Sequence, residues 1–412
     1  MTALRTGDTA PRPLHLQSPP VVLYYGGANP CSFAVIQSFR TAGADVVVVE
    51  ETAARDGRAG ETALPGAVAF DESLFCTAEG LQRIADLARR IRADALAGQS
   101  DDLLLWTSAH VPELPGSCRL LCPPWQALSR AQSKRFQIEM AQRVGLSVLP
   151  TYYLSQHLDA ERVDPAHYPL VVRPSVKRHV EPRFKTCRVE SAAGTRDLLS
   201  RSVISGEPLI GQPFRELPGL LVHGVNAVDG TCLKTAAFLV ARKFRGMSLT
   251  VRPTTCPDPI IRRITEMTLA MGIVGPYHAE LLYDPATGEA WHLDLNVRFG
   301  GTTDKVRRLG FDEAALTLRA FNVVARIGDA GPPAAYGEVV NKADVVKHLA
   351  AAALGRLSPL DYPQRPRWWH VTQDVVSLLC SMDSLFYQGD TRGYLKRVLR
   401  FASRHWPWSS GR

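Results

Sequence analysis

The sequence predicts an α/β and α+β protein: a small parallel-sheet unit, then a larger strand-rich region, then a largely helical C-terminal region. Three observations carry this. A strand–helix–strand pattern occupies residues 21–50. From Tyr168 onward, short strand-like runs alternate with turn residues. From about Lys342 the apolar spacing becomes helical. At 412 residues the chain has room for two or three domains.

Residues 1–20 are polar and proline-rich, without the apolar stretch of a secretory signal, and are expected to form a flexible lead-in. In "PPVVLYYGGANPCSFAVIQSFRTAGADVVVVE", Val21 to Tyr25 form an apolar run that Gly26 and Gly27 break. Residues from about Cys31 to Ala42 are patterned as a helix, Gly43 stops them, and Val46 to Val49 form a second buried-type strand. A helix from about Ala78 to Leu96 and a strand at "DLLLW" complete a Rossmann-like half-domain over 21–129, with a boundary near Ser129.

"SKRFQIEMAQRVGLSVLPTYYL" sets Phe136, Met140 and Val144 at helical spacing, with Gly145 as the stop and an extended segment running toward Tyr153. Strands in "YPLVVRPS" and "GLLVHGVNAVDGTCLKTAAFLVAR" precede a helix from about Pro259 to Met271. "YHAELLYDPATGEAWHLDLNVRFGG" reads as a hairpin with "DPATGE" as its loop, so Glu280 and Asp294 fall on neighbouring antiparallel strands. "FDEAALTLRAFNVVAR" is a further helix, and a proline-rich joint at Gly331 to Pro333 leads into the last region, 329–412.

Composition narrows the function. No run approaches the roughly 18 apolar residues of a spanning helix. Eight dispersed cysteines, with Cys118 and Cys122 the one close pair, argue against a zinc site or disulfide framework and suit the cytoplasm. The net charge of +8 is compatible with anionic substrates, but no zinc-finger spacing, RNP-like motif or long basic block points to nucleic acid. The basic amphipathic stretch "TRGYLKRVLRFASRHWPWSS" suits either packing on its own domain or weak peripheral contact with an anionic membrane. Oligomeric state is left open.

In "HLDLNVRFGG", strict alternation gives one face to Leu293, Leu295, Val297 and Phe299, and the other to His292, Asp294, Asn296 and Arg298. Asp294 and Asn296, with Glu280 from the paired strand, offer the oxygen ligands that Mg²⁺ takes. Arg298 adds a fork that fits phosphate or carboxylate. The same pattern also fits a sheet face that simply meets water.

The order of acid, apolar residue, Asn and Arg resembles the metal-binding strand of ATP-grasp enzymes. "YHAELLYD" resembles the strand supplying that family's first metal-binding acid, "YPLVVRPS" the strand bearing a phosphate-binding lysine, and "SKRFQIEMAQRVGLSVLPTYY" its lysine-led entry helix. The resemblance runs from about Val21 to Arg326. It implies a Rossmann-like pre-ATP-grasp domain (21–129), a two-subdomain ATP-grasp fold (130–328) and a helical C-terminal region. It also implies ATP and Mg²⁺ (or Mn²⁺), and small-molecule carboxylate and amine substrates joined through an acyl phosphate with release of ADP. Carried over by position, Glu280, Asp294 and Asn296 would hold the metal and Arg298 would steady the transferred phosphoryl group.

Several positions depart from the family pattern. Arg173 stands where lysine is usual, Asp294 where glutamate is, and Val297 where proline is. The phosphate-covering loop "SVKRHVEPRFKTCRV" has no glycine. Lys177, Arg178, Arg183, Lys185 and Arg188 either replace its backbone amides with side-chain charge or form a solvated basic hairpin. In "LIGQPFREL", Gln212 and Phe214 flank the expected adenine site. Arg242, Lys243 and Arg252 are candidates to grip phosphate or a substrate carboxylate, and His278 or His292 to take a proton from the amine. Two other readings stay open: a non-catalytic nucleotide- or ligand-binding module on the same fold, and an NAD-dependent enzyme. "YYGGANP" does not match the GxGxxG that the second needs.

Overall fold

The computed structural model describes residues 18–27, 30–52, 66–324, 337–358 and 365–386. Most of the expected lead-in, the joint at 331–333 and the C-terminal basic stretch lie outside these residues.

The first unit contains β1 (Val21–Tyr25), α1 (Pro30–Thr41), β2 (Asp45–Thr52), β3 (Val68–Asp71), α2 (Ala78–Ile91), β4 (Ala95–Gly98), α3 (Asp101–Ala109) and β5 (Arg119–Leu120). Its five strands are parallel in the order β3-β2-β1-β4-β5. The strand order reverses between β1 and β4, which opens a crevice beyond their carboxyl ends.

Two expectations are corrected here. α2 ends at Ile91, where Arg92 turns left-handed (φ 54°) and its N–H caps the Ala88 and Arg89 carbonyls. "ALAG" is then the strand, although alanine and leucine read as more helix. "DLLLW" is helical, because Ser100 caps α3 and Asp101 and Asp102 fill its first turn, where the helix dipole favours acids.

The next elements are α4 (Trp125–Ala131), α5 (Lys134–Arg143), β6 (Ser147–Val148), β7 (Tyr152–Leu154), β8 (Leu170–Pro174), β9 (Val180–Glu181), β10 (Cys187–Val189), α6 (Ala192–Ser200), β11 (Val203–Ile204) and β12 (Leu209–Pro213). An antiparallel sheet, β10-β8-β12-β7, packs Leu154, Leu170, Val172 and Leu209 into its own small core, and β9 pairs with β11 beside it.

The remainder is β13 (Gly219–Asn226), β14 (Cys232–Phe244), β15 (Met247–Pro253), α7 (Asp258–Ala270), β16 (Gly275–Tyr283), β17 (Ala290–Asn296), α8 (Thr303–Arg308), α9 (Glu313–Ala320), β18 (Val339–Val340), α10 (Lys342–Ala353), α11 (Arg367–Cys380) and β19 (Met382–Asp383). Eight strands form one sheet in the order β19-β18-β15-β14-β13-β16-β17-β6, antiparallel except at its two ends. Both faces are covered. Leu220, Val222, Ala279, Leu281 and Leu295 pack on Ile264 and Met267 of α7, while Leu221, Phe238 and Val251 meet Val306 and Phe311 on the other side. α9 stops at Ala320, short of the expected Arg326, because Asn322 turns left-handed (φ 55°) just after it.

Candidate functional site

The hairpin of β16 and β17 sets the geometry. Its register places Glu280 opposite Asp294 and His278 opposite Asn296. Asn296 Nδ2 donates to Glu280 Oε1 at 3.2 Å.

The expected alternation fails at one point. Leu281 pairs with His292, so Leu293 is an extra, bulged residue and His292 turns to the core side with Leu281. There its imidazole is fully buried, and burial pushes it down to about 4. The bulge has a use, since it frees the Leu293 carbonyl. That oxygen accepts from Arg173 Nη2 of β8 at 2.7 Å, and the same nitrogen donates to Gln212 Oε1 of β12 at 2.9 Å.

Lys134, absent from the sequence-based set of site residues, bonds the Asp294 carboxylate directly. It leads α5 behind the Ser133 cap, whose Oγ accepts from Phe136 N at 3.1 Å. The one signal in the sequence was a lysine at a capped helix start; only the tertiary packing of α5 on β17 brings it to Asp294. Burial opposes the charge of Asp294, but Lys134 and Arg173 outweigh it and hold its carboxyl below the usual range. Glu280 moves the other way, raised by burial and by the charge of Asp294.

Two carboxylates in direct register, the charge of one raising the pKa of the other, form a site that a divalent cation would relieve. Among the described residues no three His, Cys, Asp or Glu side chains gather as ligands. Glu280, Asp294 and the amide oxygen of Asn296 would therefore have to share an ion with water and phosphate, which is the habit of Mg²⁺. The donor set fits.

Arg298 follows on the same face. Its Nε and Nη2 grip Asp101 of α3 at 2.6 and 3.0 Å, and its Nη1 donates to the Phe299 carbonyl at 3.1 Å. Behind it, Gly300 leaves room for the His278 ring, since a Cβ there would lie 2.1 Å from His278 Cε1. His278 stacks on His223 with centroids 5.0 Å apart, and His223 Nδ1 lies 2.7 Å from Glu313 Oε2. Burial and the neighbouring His223 push the His278 pKa well down.

A cleft of about 1140 Å³ opens beyond β1 and β4, at the strand-order reversal. Lys177, Arg178, Arg183, Lys185 and Arg298 line it. Lys134, Asp294 and Asn296 line a smaller adjoining pocket, and Asp101, Gln132 and Lys177 belong to both.

Of the other expected residues, Gln212 is buried and bonded to Arg173 and Thr151, and Phe214 lies under the Arg188 guanidinium at 4.5 Å. The structure does not bring Arg242, Lys243 or Arg252 into this group. Arg242 is buried on Asp374 and Ser377 of α11 at 2.6 and 2.7 Å. Lys243 Nζ donates to the Leu217 carbonyl at 3.4 Å, and Arg252 is exposed at the end of β15. The register shifts on either side of Arg242, one adding Ala241 on β14 and the other Leu249 on β15, reset its direction, which spacing alone does not reveal.

No family model matches the sequence, and no curated protein matches it. Solved structures do match in fold. The chain is similar to an ADP complex of N5-carboxyaminoimidazole ribonucleotide synthetase, with TM-score 0.60, 12% identity, and coverage of 82% of this chain and 86% of that one. It is also similar to the biotin carboxylase domain of Hydrogenobacter thermophilus 2-oxoglutarate carboxylase, solved with MgADP and bicarbonate, at TM-score 0.56 and 16% identity, covering 78% and 72%. A third match is the L-amino acid ligase of Bacillus licheniformis, at TM-score 0.54 and 17% identity, covering 74% and 75%.

Proposed function

On the premise that the chain has the ATP-grasp fold of these structures, we propose that it is an ADP-forming ligase that joins a carboxylate to an amine. The observation that carries the proposal is the Glu280–Asp294 pair with Asn296 beside it, Asp294 and Asn296 lining a small pocket that adjoins a basic cleft. A substrate carboxylate oxygen would attack the γ-phosphorus of ATP, breaking the bond to ADP. The amine nitrogen would then attack the acyl carbon, releasing phosphate and losing a proton. Bound Mg²⁺ would supply charge neutralisation on the phosphates.

The chain's own residues have separable tasks. Glu280, Asp294 and Asn296 hold the cation. Lys134 keeps Asp294 ionised and sits within reach of the same pocket. Arg298 offers guanidinium charge to the transferred group, and the lysines and arginines of the glycine-free loop draw polyanions into the cleft. Arg173 has another use: its two buried bonds fix the bulge that aims Asp294.

The test is calorimetric titration of ATP, with and without Mg²⁺, into wild type and Asp294→Asn. Metal-dependent binding that weakens tenfold or more in the variant is expected. The alternative, a non-catalytic binding module, draws support from the commitment of Arg173 to buried structural bonds. Nucleotide binding without ADP formation across a broad panel of acids and amines would favour it.

A further inference from the structure

Arg298 comes from the loop after β17, whereas the carboxylate that grips it comes from α3 of the parallel-sheet unit, 197 residues earlier. The grip is bidentate, and the pair is mostly shielded, with side chains 18% and 21% exposed. A long side chain with many rotamers is thereby held in one plane. Asp101 and Phe299 O engage three of its N–H groups, and Asn296 Oδ1 lies 3.5 Å from Nη2, so that among the described residues one Nη1 hydrogen is left over. Asp101 also stands 3.8 Å from Lys177 Nζ, in the wall shared by the metal-strand pocket and the cleft. Asp102, one residue on in the same helical turn, is exposed and makes no such pair among the described residues.

We infer that Asp101 is a positioning residue for the reaction proposed above, fixing the Arg298 guanidinium across the domain junction so that its charge faces the group being transferred. The inference rests on that phosphoryl-transfer reading. A preorganised cation needs no reorganisation as charge develops, which is why an acid that orients it matters although it touches no substrate. First-turn acids are commonly present only to complement a helix dipole. Asp102 meets that description, and the bidentate pair separates Asp101 from it.

The probe is MgADP, alone and with aluminium fluoride as a mimic of the phosphoryl group in flight. The proteins are wild type, Asp101→Asn, Asp101→Glu and Asp102→Asn. MgADP affinity is expected to stay within about twofold throughout. The extra affinity conferred by fluoroaluminate should fall about ten- to a hundredfold in Asp101→Asn, recover in large part in Asp101→Glu, and persist in Asp102→Asn. Undiminished fluoroaluminate binding in Asp101→Asn, or an equal loss of plain MgADP affinity, would overturn the positioning role. A wild type that binds MgADP but gains nothing from fluoroaluminate would overturn the transfer role of Arg298 and the inference with it. A wild type that binds no MgADP would overturn the nucleotide reading itself.

Discussion

The side-chain amide of Gln137 in α5 pairs with both backbone groups of Leu295 in β17: Leu295 N–H donates to Oε1 at 2.8 Å, and Nε2 donates to the Leu295 carbonyl at 2.9 Å. β6 pairs with β17 only at Trp291 and His292. Beyond that point Gln137 does the work of a strand, at the residue between Asp294 and Asn296. Replacing it with leucine would take a hydrogen bond from the Leu295 and Ala131 carbonyls and leave the Leu295 N–H with the Asp294 carboxylate alone, at 3.1 Å. Gln137→Leu is expected to lose about 3 kcal/mol in denaturant unfolding, with faster amide exchange at Leu295.

Removing Lys134 should act through Asp294. In Lys134→Met the carboxylate loses its direct partner, so its pKa rises toward the ordinary range. ATP affinity should drop about tenfold, which corresponds to roughly 1.4 kcal/mol. Titration calorimetry gives the second quantity, and carboxyl ¹³C shifts followed against pH give the first.

Arg173→Lys retains the charge but cannot reproduce a guanidinium nitrogen shared between Gln212 Oε1 and the Leu293 carbonyl. The expected result is a loss of about 2 kcal/mol in stability, together with weaker metal-dependent ATP binding. A stability unchanged from wild type would show that the bulge holds without this clamp.

Arg242→Met separates structure from site. Its partner Asp374 is fully buried and also lies 2.6 Å from His348 Nδ1, so the pair ties α10 and α11 to β14. Losing one member leaves a buried charge, at a cost of about 3–5 kcal/mol. The affinity for MgATP of the protein that remains folded should stay within twofold of wild type.

The Asp101–Arg298 pair sets a pH dependence. Burial opposes the Asp101 charge, but Arg298 and Lys177 prevail and hold its folded pKa below the unfolded value. The unfolded chain then binds the proton more readily in that window. The contribution to stability is complete above the unfolded pKa of about 3.9 and fades as pH falls through the folded one. Unfolding followed by denaturant between pH 5 and 2.5 should show this acid slope in wild type, and a shallower one in Asp101→Asn.

Local sequence determined much of this protein. Periodicity and glycine stops placed β1, α1, α5, α7 and the start of α10 within a residue or two, because those elements bury one clear stripe or run and end at residues that break it. The hairpin loop and the placing of Glu280 and Asp294 on its two strands also followed from sequence; that they face each other did not, since the turn's own register would set Glu280 opposite Leu293 and the bulge brings Asp294 there instead. Tertiary structure decided the rest. The left-handed stop at Arg92, the bulge at Leu293 that sends His292 into the core, and the bulges beside Arg242 depend on what packs around each backbone segment, and residue type does not record that. Lys134, Gln137 and Asp101 reach β17 and its loop from 158 to 197 residues away. A strand sequence can name the acids on its face; the charges that tune them come from wherever the chain folds back.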